Sequence, residues 1–148
     1  MATMGWKLLD AQPDIREYPI DQTHGSFVAG DLVALSAGEV ILKAATTCIL
    51  GVALKSYAGG SGAYVPVNII KASQTYIAEA DTTTTTAMCG VGYGINDTAG
   101  SQSVDIGDTA DVECIIVKID PRDGATTGSG GRVHVRFPAA ILQMEKDA

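Results

Sequence analysis

Two histidines, three spaced aspartates and three cysteines are the residues of this chain whose types could do chemistry. His24 stands near the start of the chain, and His134 alternates with Arg132 and Arg136. A histidine can act as general base for a serine, but that chemistry usually presents the serine on a tight Gly-x-Ser-x-Gly elbow. No such elbow occurs, and Gly60-Ser61-Gly62 lies in a segment that is flexible by composition. Asp105-x-x-Asp108-x-x-Asp111 gathers acidic oxygens of the kind that hold calcium. The spacing is not that of an EF-hand, and Gly107-Asp108 is a turn signal, so turn formation and solubility are the expected roles. Cys48, Cys89 and Cys114 are odd in number, form no Cys-x-x-Cys and lie in apolar runs. They are expected to be buried free thiols of a protein folded in a reducing cytoplasm, with neither zinc nor disulfides. The glycine-rich segments 59–62 and 128–131 lack the Gly-Lys-Ser/Thr ending of a phosphate loop and lead into no helix. The residues therefore point to no catalytic group, cofactor or metal.

The elements that would position these groups are strands. Residues 26–55 read as three short strands with glycine at the corners (Gly30, Gly38, Gly51) and apolar residues on both faces. A strand that is apolar on both faces must be covered on both, which predicts a small barrel. Turn signals then recur roughly every eight to twelve residues, as in an all-β sandwich or barrel. The first hairpin runs through Leu32–Leu35 and returns through Val40–Lys43, and Ile49–Lys55 follows. Tyr64–Lys71 is expected at an edge because of Pro66. Gln74–Ala80 comes next, and the threonine tract 81–86 reads as an exposed strand or rim loop. Gly90, Gly92 and Gly94 would leave one face of the next strand bare, open to a backbone or a large aromatic ring. Asp111–Asp120 and Arg132–Phe137 are the clearest strands, the latter with Val133, Val135 and Phe137 inward. One short helical turn is expected in 139–144.

The fold class is therefore all-β, a small β-barrel or sandwich over residues 26–148 preceded by an extended N-terminal arm, residues 1–25. The arm, punctuated by Pro13 and Pro19, carries Trp6, Leu8, Leu9, Ile15, Tyr18 and Ile20, too many large apolar residues for an unanchored tail. It should pack along its own barrel or along a neighbour, and the body should fold without residues 1–20.

A chain of 148 residues suffices for one core. No signal peptide or membrane-spanning run is visible. A net charge of −7 with ten scattered basic residues argues against a nucleic-acid surface. The charged fraction is only 18%, with Thr, Ser, Gly and Ala in its place, so part of the exterior is expected to be covered by other chains.

The order of segments resembles that of tailed-phage head decoration, or capsid cement, proteins. The resemblance covers about residues 25–140. It rests on Gly30-Asp31-Leu32-Val33, Gly38-Glu39-Val40, Ile49-Leu50-Gly51-Val52-Ala53 and Tyr76-Ile77-Ala78. It continues through Val91-Gly92-Tyr93, Val104-Asp105 and Gly130-Gly131-Arg132-Val133-His134-Val135-Arg136. It implies a non-enzymatic β-barrel body, homotrimerisation and attachment to the outside of a phage head where major capsid subunits meet. It also implies a virion location after assembly in the host cytoplasm, with no nucleic-acid or membrane partner. On that expectation Trp6, Leu8, Leu9, Ile15 and Tyr18 are the capsid-binding anchors of the arm. Two other classes are kept beside it. A receptor- or glycan-binding module of a fibre or tail would use the rim around 81–86. A small trimeric nucleotide hydrolase is echoed only by Gly92-Tyr93-Gly94-Ile95.

Overall fold

The computed structural model describes residues 5–10, 12–20, 26–44, 48–58, 63–123, 126–127 and 131–144. His24, Gly60-Ser61-Gly62, Gly124 and most of the glycine-rich tip lie outside the described residues. In chain order the strands are β1 (Lys7–Leu8), β2 (Ile15–Pro19), β3 (Leu32–Ser36), β4 (Glu39–Leu42), β5 (Gly51–Ala53), β6 (Tyr64–Ile69) and β7 (Tyr76–Glu79). They continue as β8 (Thr84–Thr85), β9 (Gly92–Asn96), β10 (Ser103–Asp105), β11 (Cys114–Ile119), β12 (Thr126–Thr127) and β13 (Arg132–Arg136). Short 3-10 turns occupy Thr86–Met88, Pro121–Asp123 and Ala139–Ile141.

The expected all-β class is what the chain adopts, as two antiparallel sheets rather than one closed barrel. One sheet runs β1-β7-β13-β11-β9-β10, the other β2-β6-β5-β3-β4, and β8 pairs β12 apart from both. The five-stranded sheet curls until its edge strands nearly meet, and the six-stranded sheet curls until β10 nears β7, the strand next to its β1 edge. A single parallel bridge, Ala80 to Val104, joins the end of β7 to β10, and another, Ile20 to Val40, joins the end of β2 to β4. One bridge is not a ladder, so both curls remain open.

The doubly apolar segments explain the two cores. Leu32, Ile49, Val52 and Ile70 belong to the core between the sheets, with Trp6, Tyr76, Val133, Val135 and Phe137. Their chain neighbours Val33, Leu50, Ala53 and Ile69 belong to a second core inside the curl of the five-stranded sheet, with Phe27, Tyr57, Val65 and Val67. Successive strand side chains point to opposite faces. A middle layer that is apolar on both faces thus serves one core on each side. Gly51 is in this layer because a Cβ there would run into the Asn68 carbonyl of β6.

Several local expectations hold and several change. The β3–β4 hairpin turns on Ala37 and Gly38, both at positive φ (52° and 82°), the two-residue turn that matches strand twist. Val133, Val135 and Phe137 are buried and the alternate residues face outward. Pro66 lies on an interior strand, not an edge, since β6 sits between β2 and β5. Its carbonyl accepts from Leu54 just past the end of β5, so the missing N–H falls where that ladder has stopped. A bulge between Ile116 and Lys118 exposes both Val117 and Lys118 while returning Ile119 to the interior. What a Cβ at Gly92 and Gly94 would meet is the side chains of Val112 and Asp108, not a backbone or an aromatic ring. Cys114 is buried, but Cys48 and Cys89 are only half-buried; all three are free.

The described part of the arm folds onto its own domain. β1 pairs with β7 at the edge of one sheet and β2 pairs with β6 at the edge of the other, so the segment straps both sheets. Gly5, at φ 77°, comes against Gly30, and the Trp6 N–H donates to the Gly30 carbonyl at 3.0 Å. The Trp6 ring is 2% exposed and lies 5.6 Å from that of Phe137. Trp6 is thus a core residue, and removing residues 1–20 would open the core.

Candidate interaction surface and polar clusters

The five expected anchors are divided by the fold. Trp6 is buried, Leu8 packs partly against the inter-sheet core, and Tyr18 packs partly against the second core. Leu9 and Ile15 remain exposed, on the strap that crosses from one sheet to the other. Strand alternation explains the split: Leu8 points inward from β1, whereas Ile15 stands opposite Asn68 on the face away from Val65, Val67 and Ile69. Tyr64, the most exposed large apolar residue at 61%, lies on the same face opposite Pro19. Leu54, also exposed, hydrogen-bonds the Pro66 carbonyl beside it. Leu54, Tyr64, Pro66 and Pro19 share this face with Ile15, with the exposed Glu17 set opposite Pro66 among them, and nothing in their pattern marked Leu54 or Tyr64 in advance.

The outer face of the six-stranded sheet is charged. Cross-strand pairing puts Lys118, His134, Ile77 and Lys7 in one row, with Arg132 and Glu79 in the next. Basic residues scattered in the chain are gathered here by register. Arg132 and His134 are paired with carboxylates on the spot. Asp120 accepts from Arg122 through both carboxylate oxygens (2.8 and 3.0 Å) and lies 3.0 Å from His134 Nε2. Asp123 pairs with Arg132 in the same two-pronged way. The Arg122 guanidinium, with help from His134, holds the Asp120 carboxyl far below the usual carboxylate range, and Arg132 lowers that of Asp123. His134 and Asp120 form the imidazole–carboxylate half of a triad, but the carboxylate is shared with an arginine.

The aspartate series does turn-making. Asp105 accepts from the Gly107 N–H at 3.1 Å, and Asp108 accepts from Ala110 and Asp111 at 3.1 and 3.2 Å. Asp81 joins the group by accepting from Ile106 N–H, and burial, then the nearby Asp81 charge, raises the Asp105 carboxyl. Asp111 itself is exposed and lends its backbone N–H. Among the described residues no three His, Cys, Asp or Glu side chains are placed to hold a metal ion. In the threonine tract Thr84 is buried and β8 is paired with β12, so the exposed rim consists of residues 81–83 with Thr86 beyond the strand.

Buried polar residues join the sheets. Gln102 clamps Leu32, accepting from its N–H at 2.5 Å and donating to its carbonyl at 3.2 Å, and Gln143 treats Leu35 likewise at 2.7 and 3.1 Å. Asp31 caps the turn at Val28 and also accepts from the Gly100 N–H. Lys43, just past β4, is fully buried and reaches the carboxylates of Asp97 and Glu113 from the other sheet. No pattern in the sequence distinguishes this lysine from the surface ones.

Comparison with models of known protein families gives no match, and no curated protein matches the chain.

Proposed function

We propose that this chain is a non-enzymatic decoration protein of a tailed-phage head. It would bind the outer surface of the shell at junctions between major capsid subunits, as a homotrimer, and stabilise the shell there. The observation that carries this reading is the group of exposed large apolar residues on and beside the strap: Leu9, Ile15, Leu54 and Tyr64. Exposed apolar groups with a polar rim mark contact surfaces. Ile15 and Tyr64 are held on the paired strands β2 and β6, and the backbone N–H groups of Leu9 and Leu54 bond the Thr75 and Pro66 carbonyls, so little ordering entropy is lost when they dock. The segment order and the low charged fraction agree with a surface meant to be covered. A clamp touching several subunits strengthens a shell because linked contacts raise one another's effective concentration.

The test is occupancy on purified expanded heads of the encoding phage, comparing the wild type with Ile15→Asp/Tyr64→Asp. Both side chains are outward, so the variant should fold with a stability change of roughly 0.5 kcal/mol or less per site. It should lose most of its binding. Full occupancy by the doubly substituted chain would refute the docking surface. Binding to a glycan array with no affinity for heads would favour the receptor-module reading, through the open rim at 81–83. Deleting residues 1–20 is a poor test, because it also removes Trp6 and both edge strands.

A further inference from the structure

The Lys43 cluster has a composition and placement that a structural ion pair does not require. The ammonium is wholly buried, donates to Asp97 Oδ1 at 2.9 Å and to the Ala44 carbonyl at 3.1 Å, and touches Glu113 Oε2. Glu113 Oε2 has no well-angled hydrogen-bond partner of its own, while Oε1 accepts from the Ile95 N–H at 3.3 Å. One buried amine therefore faces two carboxyl groups, one of them nearly buried and the other partly open to solvent. The ammonium is matched by two carboxylates and a carbonyl, so a proton can pass between the amine and either acid without leaving the cluster.

We infer that Lys43 and Asp97 form an intramolecular isopeptide bond, with Glu113 as the proton relay. Glu113 takes a proton from the Lys43 ammonium and passes it to the Asp97 carboxylate. The neutral Nζ attacks the Asp97 carbonyl carbon, and an N–C bond forms. A second Nζ proton moves through Glu113 to the departing hydroxyl, the C–O bond breaks, and water leaves. The ammonium and carboxylate thus become an amide plus one water, Glu113 is regenerated, and no co-reactant is needed.

Three features assign the roles. Asp97 keeps 23% of its side chain exposed, so the released water has a way out, whereas Glu113 keeps 7%. Burial raises the Glu113 carboxyl, which suits it to carry a proton. Lys43 leaves β4 of one sheet, while Asp97 and Glu113 flank β9 and β11 of the other, so the fold fixes the reacting atoms in contact. The bond would tie the two sheets covalently across a span of 54 residues.

Intact-mass spectrometry of the full, denatured chain tests this without any variant. The expected mass is one water below that of the sequence, with a branched peptide linking Lys43 to Asp97 in the digest. Lys43→Arg and Glu113→Gln should each restore the unmodified mass, and Asp97→Asn should form the same link with loss of one ammonia. An unmodified wild-type mass overturns the inference, as does a digest that places the lost water elsewhere. Water loss persisting in Glu113→Gln overturns the relay.

Discussion

Replacing Trp6 with alanine separates a strap that belongs to the fold from an arm that waits for a partner. The ring is 2% exposed and tilted against Phe137, whose ring also meets Tyr76 edge-on at 5.7 Å. Truncating a buried tryptophan to alanine costs about 3–5 kcal/mol, from lost burial and the cavity left behind. Among the described residues the indole N–H has no hydrogen-bond partner, so no polar loss adds to that figure. The backbone bond from residue 6 to Gly30 is retained in the variant. For a domain of this size each kcal/mol lowers Tm by roughly 2–4 °C, so the expected drop is about 6–20 °C. Thermal unfolding by calorimetry or far-ultraviolet circular dichroism on the isolated protein reads it. Trp6→Phe should recover most of the loss, because a ring still fills the space beside Phe137. A Trp6→Ala melting curve superimposable on the wild type would refute the reasoning and return Trp6 to the role of a free anchor.

Two further outcomes follow from the polar clusters. Asp120 is held below its ordinary value of 3.8, so its contribution to stability is fully present above about pH 4 and is lost as pH falls further. Asp120→Asn should therefore lower Tm at neutral pH and flatten the acid side of the stability–pH curve; an unchanged acid limb would show the charged cluster to be idle. Gln102→Ala leaves the buried Leu32 N–H without its partner while the Leu32 carbonyl keeps the Lys43 N–H, and the one unsatisfied donor costs about 1–3 kcal/mol, to be measured by urea denaturation. A change below 0.5 kcal/mol, roughly that of an ordinary surface substitution, would mean that the clamp is replaced by water.

Much of the β scaffold was legible because it is written in short-range pattern. Arg132–Phe137 alternates strictly, and Ala37-Gly38 between two apolar runs is a hairpin turn by backbone chemistry alone. The interior place of Pro66 was not legible, because an edge is a property of the neighbours: β5 stops just where the missing N–H would be needed. The bulge at Val117 was hidden for the same reason, since a register shift depends on the partner strand. At the candidate site, the apolar load of the strap was visible, but its division was not. Trp6 is buried by Phe137, far along the chain, while Ile15 is left out by the pairing of β2 with β6.

The sequence by itself determined that the chain is built of strands and that its middle segment is covered on both faces, because those follow from period-two patterning and composition. Tertiary structure alone decided that the cover is two open sheets with a shared middle layer rather than a closed barrel. It alone decided that the N-terminal segment straps that body, and that Lys43 meets Asp97 and Glu113 in its interior. The physical reason is range: alternation and turn chemistry act between neighbours, whereas burial and charge pairing are settled by residues that only folding brings together.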